Sequence, residues 1–193
     1  ALKSNGMIVV WGNNEYGQLG INANGLRNQP VKVITRNSKN LENVIDISLG
    51  ANHALALTFD NSLYAWGAND RRQLASNTKD IVSVPERITI SGKIKTIAAG
   101  GQHSAIMTTL DGSEDTAVWT WGDNSYGQLG VDEATTYSTK PVKAGVFDGI
   151  NYLKNIEIAD IFAGEYSSFI VTEGTSNITI AKKNDGSRVT VPL

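Results

Sequence analysis

Trp11-Gly12-Asn13-Asn14-Glu15-Tyr16-Gly17-Gln18-Leu19-Gly20 returns as Trp66-Gly67-Ala68-Asn69-Asp70-Arg71-Arg72-Gln73-Leu74-Ala75. It returns once more as Trp121-Gly122-Asp123-Asn124-Ser125-Tyr126-Gly127-Gln128-Leu129-Gly130, so both tryptophan-to-tryptophan steps are 55 residues. A second motif is interleaved with the first: Gly50-Ala51-Asn52-His53-Ala54-Leu55-Ala56-Leu57, then Gly100-Gly101-Gln102-His103-Ser104-Ala105-Ile106-Met107. A weaker third copy reads Gly164-Glu165-Tyr166-Ser167-Ser168-Phe169-Ile170-Val171. Two motifs that keep one order through three copies define an internal repeat.

Each unit reads as four short strands separated by turn residues, with no sustained helical period. In one unit these are Val44 to Leu49, Ala54 to Phe59, Ser62 to Trp66 and Pro85 to Ile90; in the next, Lys95 to Ala99, Ser104 to Thr108, Ala117 to Trp121 and Lys140 to Val146. Asp60-Asn61 and Asn5-Gly6 suit tight two-residue hairpin turns with positive φ. Gly17 and Gly127 fall where a left-handed backbone is demanded, and Arg71-Arg72 replace Tyr-Gly there, which implies a strained or reshaped middle loop. Gly50, Gly100 and Gly164 end the first strand of each unit, where chains converge and a side chain does not fit. Trp11, Trp66 and Trp121 each offer a large apolar surface for packing one sheet on the next. A four-stranded sheet repeated radially is a propeller blade.

Composition agrees and narrows the chemistry. The 193 residues are 40% apolar and 19% charged, a globular balance. Lys plus Arg number 17 against 19 Asp plus Glu, for a formal charge of -2, so nucleic acid is a poor partner. The absence of cysteine removes disulfides, thiol nucleophiles and Cys-containing zinc sites, and two histidines leave little for metal or acid–base chemistry. No apolar run approaches the roughly 20 residues of a membrane span. The start, ALKSNGMIVVWG, lacks an initiator Met and is too short in apolar residues for a signal peptide.

The paired signature WG-x-N-x-x-GQLG and G-x-x-H-[SA] resembles the regulator-of-chromosome-condensation (RCC1) repeat family, from Ala1 to about Val171. That resemblance implies an all-β, seven-bladed type of propeller built from units of about fifty residues, and a binding surface rather than a reaction. Strand counting gives about three and a half four-stranded blades: a partial blade over 1–43, blades over 44–93 and 94–155, and an atypical terminal blade over 156–193. Three arrangements then stand open for completing a ring: upstream sequence of a longer propeller, a second copy, or another chain of an assembly. The function expected is a non-enzymatic protein-binding scaffold without cofactor or metal. Alternatives are a structural component of a virion or bacterial surface assembly, or a nucleotide exchange factor for a small GTPase.

His53 and His103 occupy equivalent repeat positions that Ser167 takes in the third copy, which marks a hydrogen-bonding turn residue near the hub rather than a base. Glu114-Asp115 and Asp132-Glu133 read as solvated loop carboxylates. No Gly-x-x-x-x-Gly-Lys phosphate loop occurs. Partner binding is expected where the repeat departs from its own pattern. Arg71 and Arg72 replace motif residues in an exposed loop, and Tyr16 and Tyr126 share one loop position. Tyr137, Phe147 and Tyr152 lie in the longest connection, which stretches the Trp121–Gly164 interval to 43 residues against 34 for Trp66–Gly100.

Overall fold

The computed structural model describes residues 1–77, 80–109, 115–131, 136–147, 150–151, 153, 156–172, 177–180 and 189–192. Among them, β1 (Val9–Gly12) and β2 (Arg27–Lys32) form an antiparallel pair. The next unit is a complete antiparallel sheet in sequence order: β3 (Val44–Leu49), β4 (His53–Thr58), β5 (Leu63–Ala68) and β6 (Ile81–Ile88). The following unit repeats it with β7 (Lys93–Ala99), β8 (His103–Thr109), β9 (Thr116–Asp123) and β10 (Tyr137–Lys143). Two-stranded ladders follow: β11 (Val146–Phe147) with β12 (Ile150–Asn151), β13 (Ile158–Ala163) with β14 (Ser168–Thr172), and β15 (Asn177–Ile180) with β16 (Val189–Pro192). The described residues thus hold two full blades flanked by partial ones, and none of them is helical.

The blades stack because each presents an apolar surface to its neighbour. β7 packs on β3 and β4, and β13 packs on β7 and β8. The second strand of each full blade is covered on both sides, so every residue of β4 is buried, and every residue of β8 but the last. That is why His-Ala-Leu-Ala-Leu-Thr reads as an apolar run without strand alternation. One core cluster runs from Ile8 through Leu55, Trp66 and Ile97 to Trp121; a second joins Ala98, Ala105 and Met107 to Ile158 and Ile161.

Two readings of local geometry are corrected. The Asn5-Gly6 and Asp60-Asn61 hairpins close through three residues, not two. In the second, Asn61 N–H donates to Thr58 O and Thr58 N–H to Ser62 O, and positive φ occurs only at Asn61 (65°). The first has the same pair of bonds, Gly6 to Lys3 and Lys3 to Met7, with φ 75° at Gly6 alone. This is a type I turn ending in a left-handed residue, so a single permissive position suffices. Trp11 also departs from its repeat: Trp66 and Trp121 are buried at 1% and 0%, whereas Trp11 is 55% exposed, lining a cleft with Leu19, Leu49, Gly50 and His53. No described strand packs on that side of Trp11 as β3–β6 pack against Trp121.

Candidate functional site

The loop after each tryptophan strand is closed by its own motif. The glycine after Trp takes φ of 107°, 106° and 99° at Gly12, Gly67 and Gly122. A Cβ on Gly67 would stand 2.4 Å from the Asn52 carbonyl, and one on Gly122 2.6 Å from that of Gln102. Those two carbonyls accept from Ala68 and Asp123 N–H, tying the loop to the preceding turn. The motif asparagine is buried, and its Oδ1 receives the leucine N–H five residues on: Asn14 from Leu19 at 2.9 Å, Asn69 from Leu74 and Asn124 from Leu129 at 3.0 Å. The glutamine Oε1 receives an N–H two residues back, from Tyr16, Arg71 and Tyr126, each at 2.9 Å. Asn, Gln and Leu are thus consumed in folding the loop, and their side chains are not free to meet a partner.

The same loops hold the blades together. Trp66 Nε1–H donates to the Gln18 carbonyl of the preceding unit at 2.9 Å, and Trp121 Nε1–H to that of Gln73 at 2.8 Å. The Gln73 carbonyl also accepts from Ser104 Oγ at 2.8 Å, which leaves that hydroxyl to accept from His53 Nε2–H at 2.9 Å. His103, Ser168 and the Gln128 carbonyl repeat this relay one blade further, at 3.0 and 2.7 Å. Each histidine therefore reaches from its own blade to the serine of the next. Ala54 stands where the serine would be at the first junction, which keeps only the tryptophan bond.

This geometry settles the histidines. Both are buried, and the Nδ1 of each has no partner among the described residues. Burial is the main reason their pKa values fall from 6.5, to about 3 for His53 and about 4 for His103. The nearby His103 lowers His53 further, while Asp123 partly offsets the fall at His103. They are neutral structural donors, too shielded to serve as bases. The glycines beside them are sterically required. A Cβ on Gly50 would lie 2.3 Å from His53 Cε1 and 2.4 Å from the Gly100 carbonyl; on Gly100, 2.2 Å from His103 Cε1 and 2.5 Å from the Gly164 carbonyl. Among the described residues no group of three or more His, Asp or Glu could hold a metal ion.

The exposed positions of these loops and turns remain. Tyr16, Arg71 and Tyr126, at equivalent places, are all exposed. Arg72 is engaged: its Nη1 bonds Asp80 at 3.2 Å and the Asn69 carbonyl at 3.3 Å, and its φ of 65° matches 71° at Gly17 and 76° at Gly127. The middle loop is thus strained rather than reshaped, and Ala75 repeats the pattern with φ 53° against 64° at Gly20 and 61° at Gly130. Tyr137 is 51% exposed opposite Asp123, at the loop end of its sheet. Phe147 lies in the short β11–β12 ladder, and Tyr152 falls outside the described residues, as do Glu114, Asp132 and Glu133. Described residues of the long connection, and those just before it, are anchored. Val131 bridges Val146, Gly145 N–H donates to Gly130 O, and Leu153 and Ile156 pack on the second core cluster. One residue escaped the sequence reading: Tyr166, 51% exposed, whose ring lies 4.8 Å from that of Tyr126 at an interplanar angle of 52°. It stands where Asn52 and Gln102 stand in the other copies, and that substitution was the signal.

Known proteins match over the same span. The profile described as regulator of chromosome condensation (RCC1) repeat covers residues 5–57, 60–107 and 115–171. The chain is 30% identical over 188 residues to the human "Probable E3 ubiquitin-protein ligase HERC6", covering 94% of this chain and 17% of that protein. It is 32% identical over 130 residues to the "Regulator of chromosome condensation" of Drosophila melanogaster, covering 65% and 22%. Among solved structures, yeast RCC1 (Prp20) bound to Kap60 aligns with a TM-score of 0.71 at 25% identity, over 90% of this chain and 39% of that one. Human WBSCR16 aligns at 0.73 and 23% identity, over 93% and 44%. The chain thus spans less than half of each of these proteins. Three repeat matches in register with the tryptophan loops and the hub turns make the conclusion direct: the chain belongs to the regulator of chromosome condensation (RCC1) repeat family.

Proposed function

We propose that the chain is a non-enzymatic propeller module that binds a protein partner through its loop face, the edge carrying the tryptophan-strand loops and the hub turns. The observation that carries this reading is the division of labour within the repeat. Motif side chains close loops and latch blades, both histidines are neutral inter-blade donors, and, Trp11 apart, the loop side chains that stand in solvent are those of the variable positions. Those positions hold Tyr16, Arg71 and Tyr126, residue types enriched where binding energy concentrates. The solved yeast relative bound to Kap60 supports a protein partner by analogy.

The test is affinity capture with the intact protein that contains this chain. Arg71→Ala combined with Tyr16→Ala should reduce the captured partner several-fold, while Arg72→Ala, whose guanidinium is already paired, should reduce it less. Capture indifferent to Arg71 and Tyr16 counts against the reading, and acceleration of GDP release from a small GTPase would replace it with nucleotide exchange.

A further inference from the structure

The Tyr126–Tyr166 pair bridges two blades. Tyr126 belongs to the loop of the β7–β10 blade, and Tyr166 to the turn between β13 and β14. At the two equivalent junctions the second position holds an amide, Asn52 or Gln102, so among the described residues this junction alone sets two aromatic rings side by side. Both residues are more than half exposed, at 56% and 51%, and their rings meet at a tilt of 52° rather than stacked face to face. Glu165 stands beside them. Its nearby carboxylate raises the Tyr166 phenol above its ordinary pKa, and its backbone carbonyl accepts from Gly101 N–H of the neighbouring blade at 3.2 Å. The described loop face is also acidic. Asp123 is buried and Arg72 is paired with Asp80, so Glu15, Asp70 and Glu165 are left exposed against the guanidinium groups of Arg71 and of Arg27, the latter opposite Gly12 at the loop end of β2.

An arginine suits this arrangement better than any other side chain. Its planar guanidinium stacks on a tyrosine face while its N–H fork reaches a carboxylate at the ring edge, a geometry that a compact ammonium does not match. We propose that Tyr126, Tyr166 and Glu165 form a receiving site for an arginine carried by a basic segment of a protein partner. The site rests on the binding-module reading above and names the chemistry of what is bound at one junction of that face.

The probe is fluorescein-labelled octa-arginine, with octa-lysine as its comparison, titrated at low salt and followed by anisotropy. Octa-arginine should bind more tightly than octa-lysine. Tyr126→Leu and Tyr166→Leu, which keep apolar bulk but remove the ring, should each weaken it about three- to thirtyfold. Glu165→Gln should weaken it comparably. Glu157→Gln makes the same charge change at the exposed opposite end of the same blade and should leave binding unchanged. Unfolding midpoints of the variants should match the parent, since both rings are exposed. No octa-arginine binding, equal binding of both peptides, tyrosine variants that bind as the parent does, or equal losses in Glu165→Gln and Glu157→Gln would each overturn the proposal. A partner lost with Arg71→Ala but retained by Tyr166→Leu would overturn the arginine site while leaving the binding-module reading intact.

Discussion

Arg72 and Ala75 show what a single residue costs when the repeat fixes the backbone. The glycines at their sister positions adopt left-handed angles freely, whereas a side chain there costs about 1 kcal/mol or more. Arg72 recovers part of that through its pair with Asp80, which is 74% exposed and so contributes at most about 1 kcal/mol. Arg72→Gly should therefore stabilise the fold by roughly 0.5 kcal/mol, and Arg72→Ala, which keeps the strain and loses the pair, should destabilise it by about as much. Opposite shifts of the urea midpoint check this, and two shifts of one sign would contradict it. The histidines give a pH dependence. Both folded pKa values lie below the unfolded value near 6.5, so as pH falls the unfolded chain takes up protons first. Stability is full above about pH 6.5 and declines below it, levelling only beneath about pH 4 for His103 and about pH 3 for His53. The His103 shift corresponds to about 3 kcal/mol, so the stability of His103→Gln should fall less steeply between pH 6.5 and 4. A slope identical to the parent's would count against buried neutral His103.

At the scale of elements, glycines mark where strands meet. Gly100 directly follows β7 with the His103 ring on one side and the Gly164 carbonyl on the other, so a methyl group there has no room without parting the junction. Gly100→Ala should cost upwards of about 2 kcal/mol through overpacking of backbone that cannot yield. Gly127→Ala, with nothing within 4 Å of the added carbon, should cost only about 1 kcal/mol of backbone strain. Equal midpoints for the two variants would refute the convergence argument. Most of this scale was legible in the sequence, because hydrogen-bonded loops and close approaches impose residue identities: Trp-Gly, Asn, Gln-Leu and the hub glycines. The three-residue hairpin turns were not legible, since Asn-Gly satisfies both a two-residue turn and a type I turn with one left-handed residue. Nor was the strand partnering of the long connection, whose register depends on where Val131 meets Val146.

Across the whole molecule, the tryptophans report how blades cover one another. Trp66 and Trp121 are sealed by neighbouring units, whereas Trp11 faces an open cleft beside Leu49, itself 67% exposed. At the far end Phe162, Phe169 and Val171 are also exposed. In the 193-residue chain, Trp11→Phe should remove most of the acrylamide-accessible fluorescence and shift stability little, whereas Trp66→Phe should leave quenching nearly unchanged and destabilise by about 1–3 kcal/mol through its lost bond and volume. Quenching as strong in Trp11→Phe as in the parent would mean that Trp11 is covered, since half-buried Trp119 supplies only a smaller share of it.

Sequence alone determined the repeat, the blade as its unit, the demand for glycine at the hub and the structural duty of the histidines, because hydrogen-bonded loops and close approaches leave few residue choices. Only the tertiary structure decided which tryptophan stands exposed, that Arg72 is bound internally while Arg71 is exposed, and that Tyr126 meets Tyr166. The first and last depend on contacts between units far apart in the chain, and the middle one on the course of a loop that brings Asp80 back to Arg72; the spacing of residues within one unit carries no record of either.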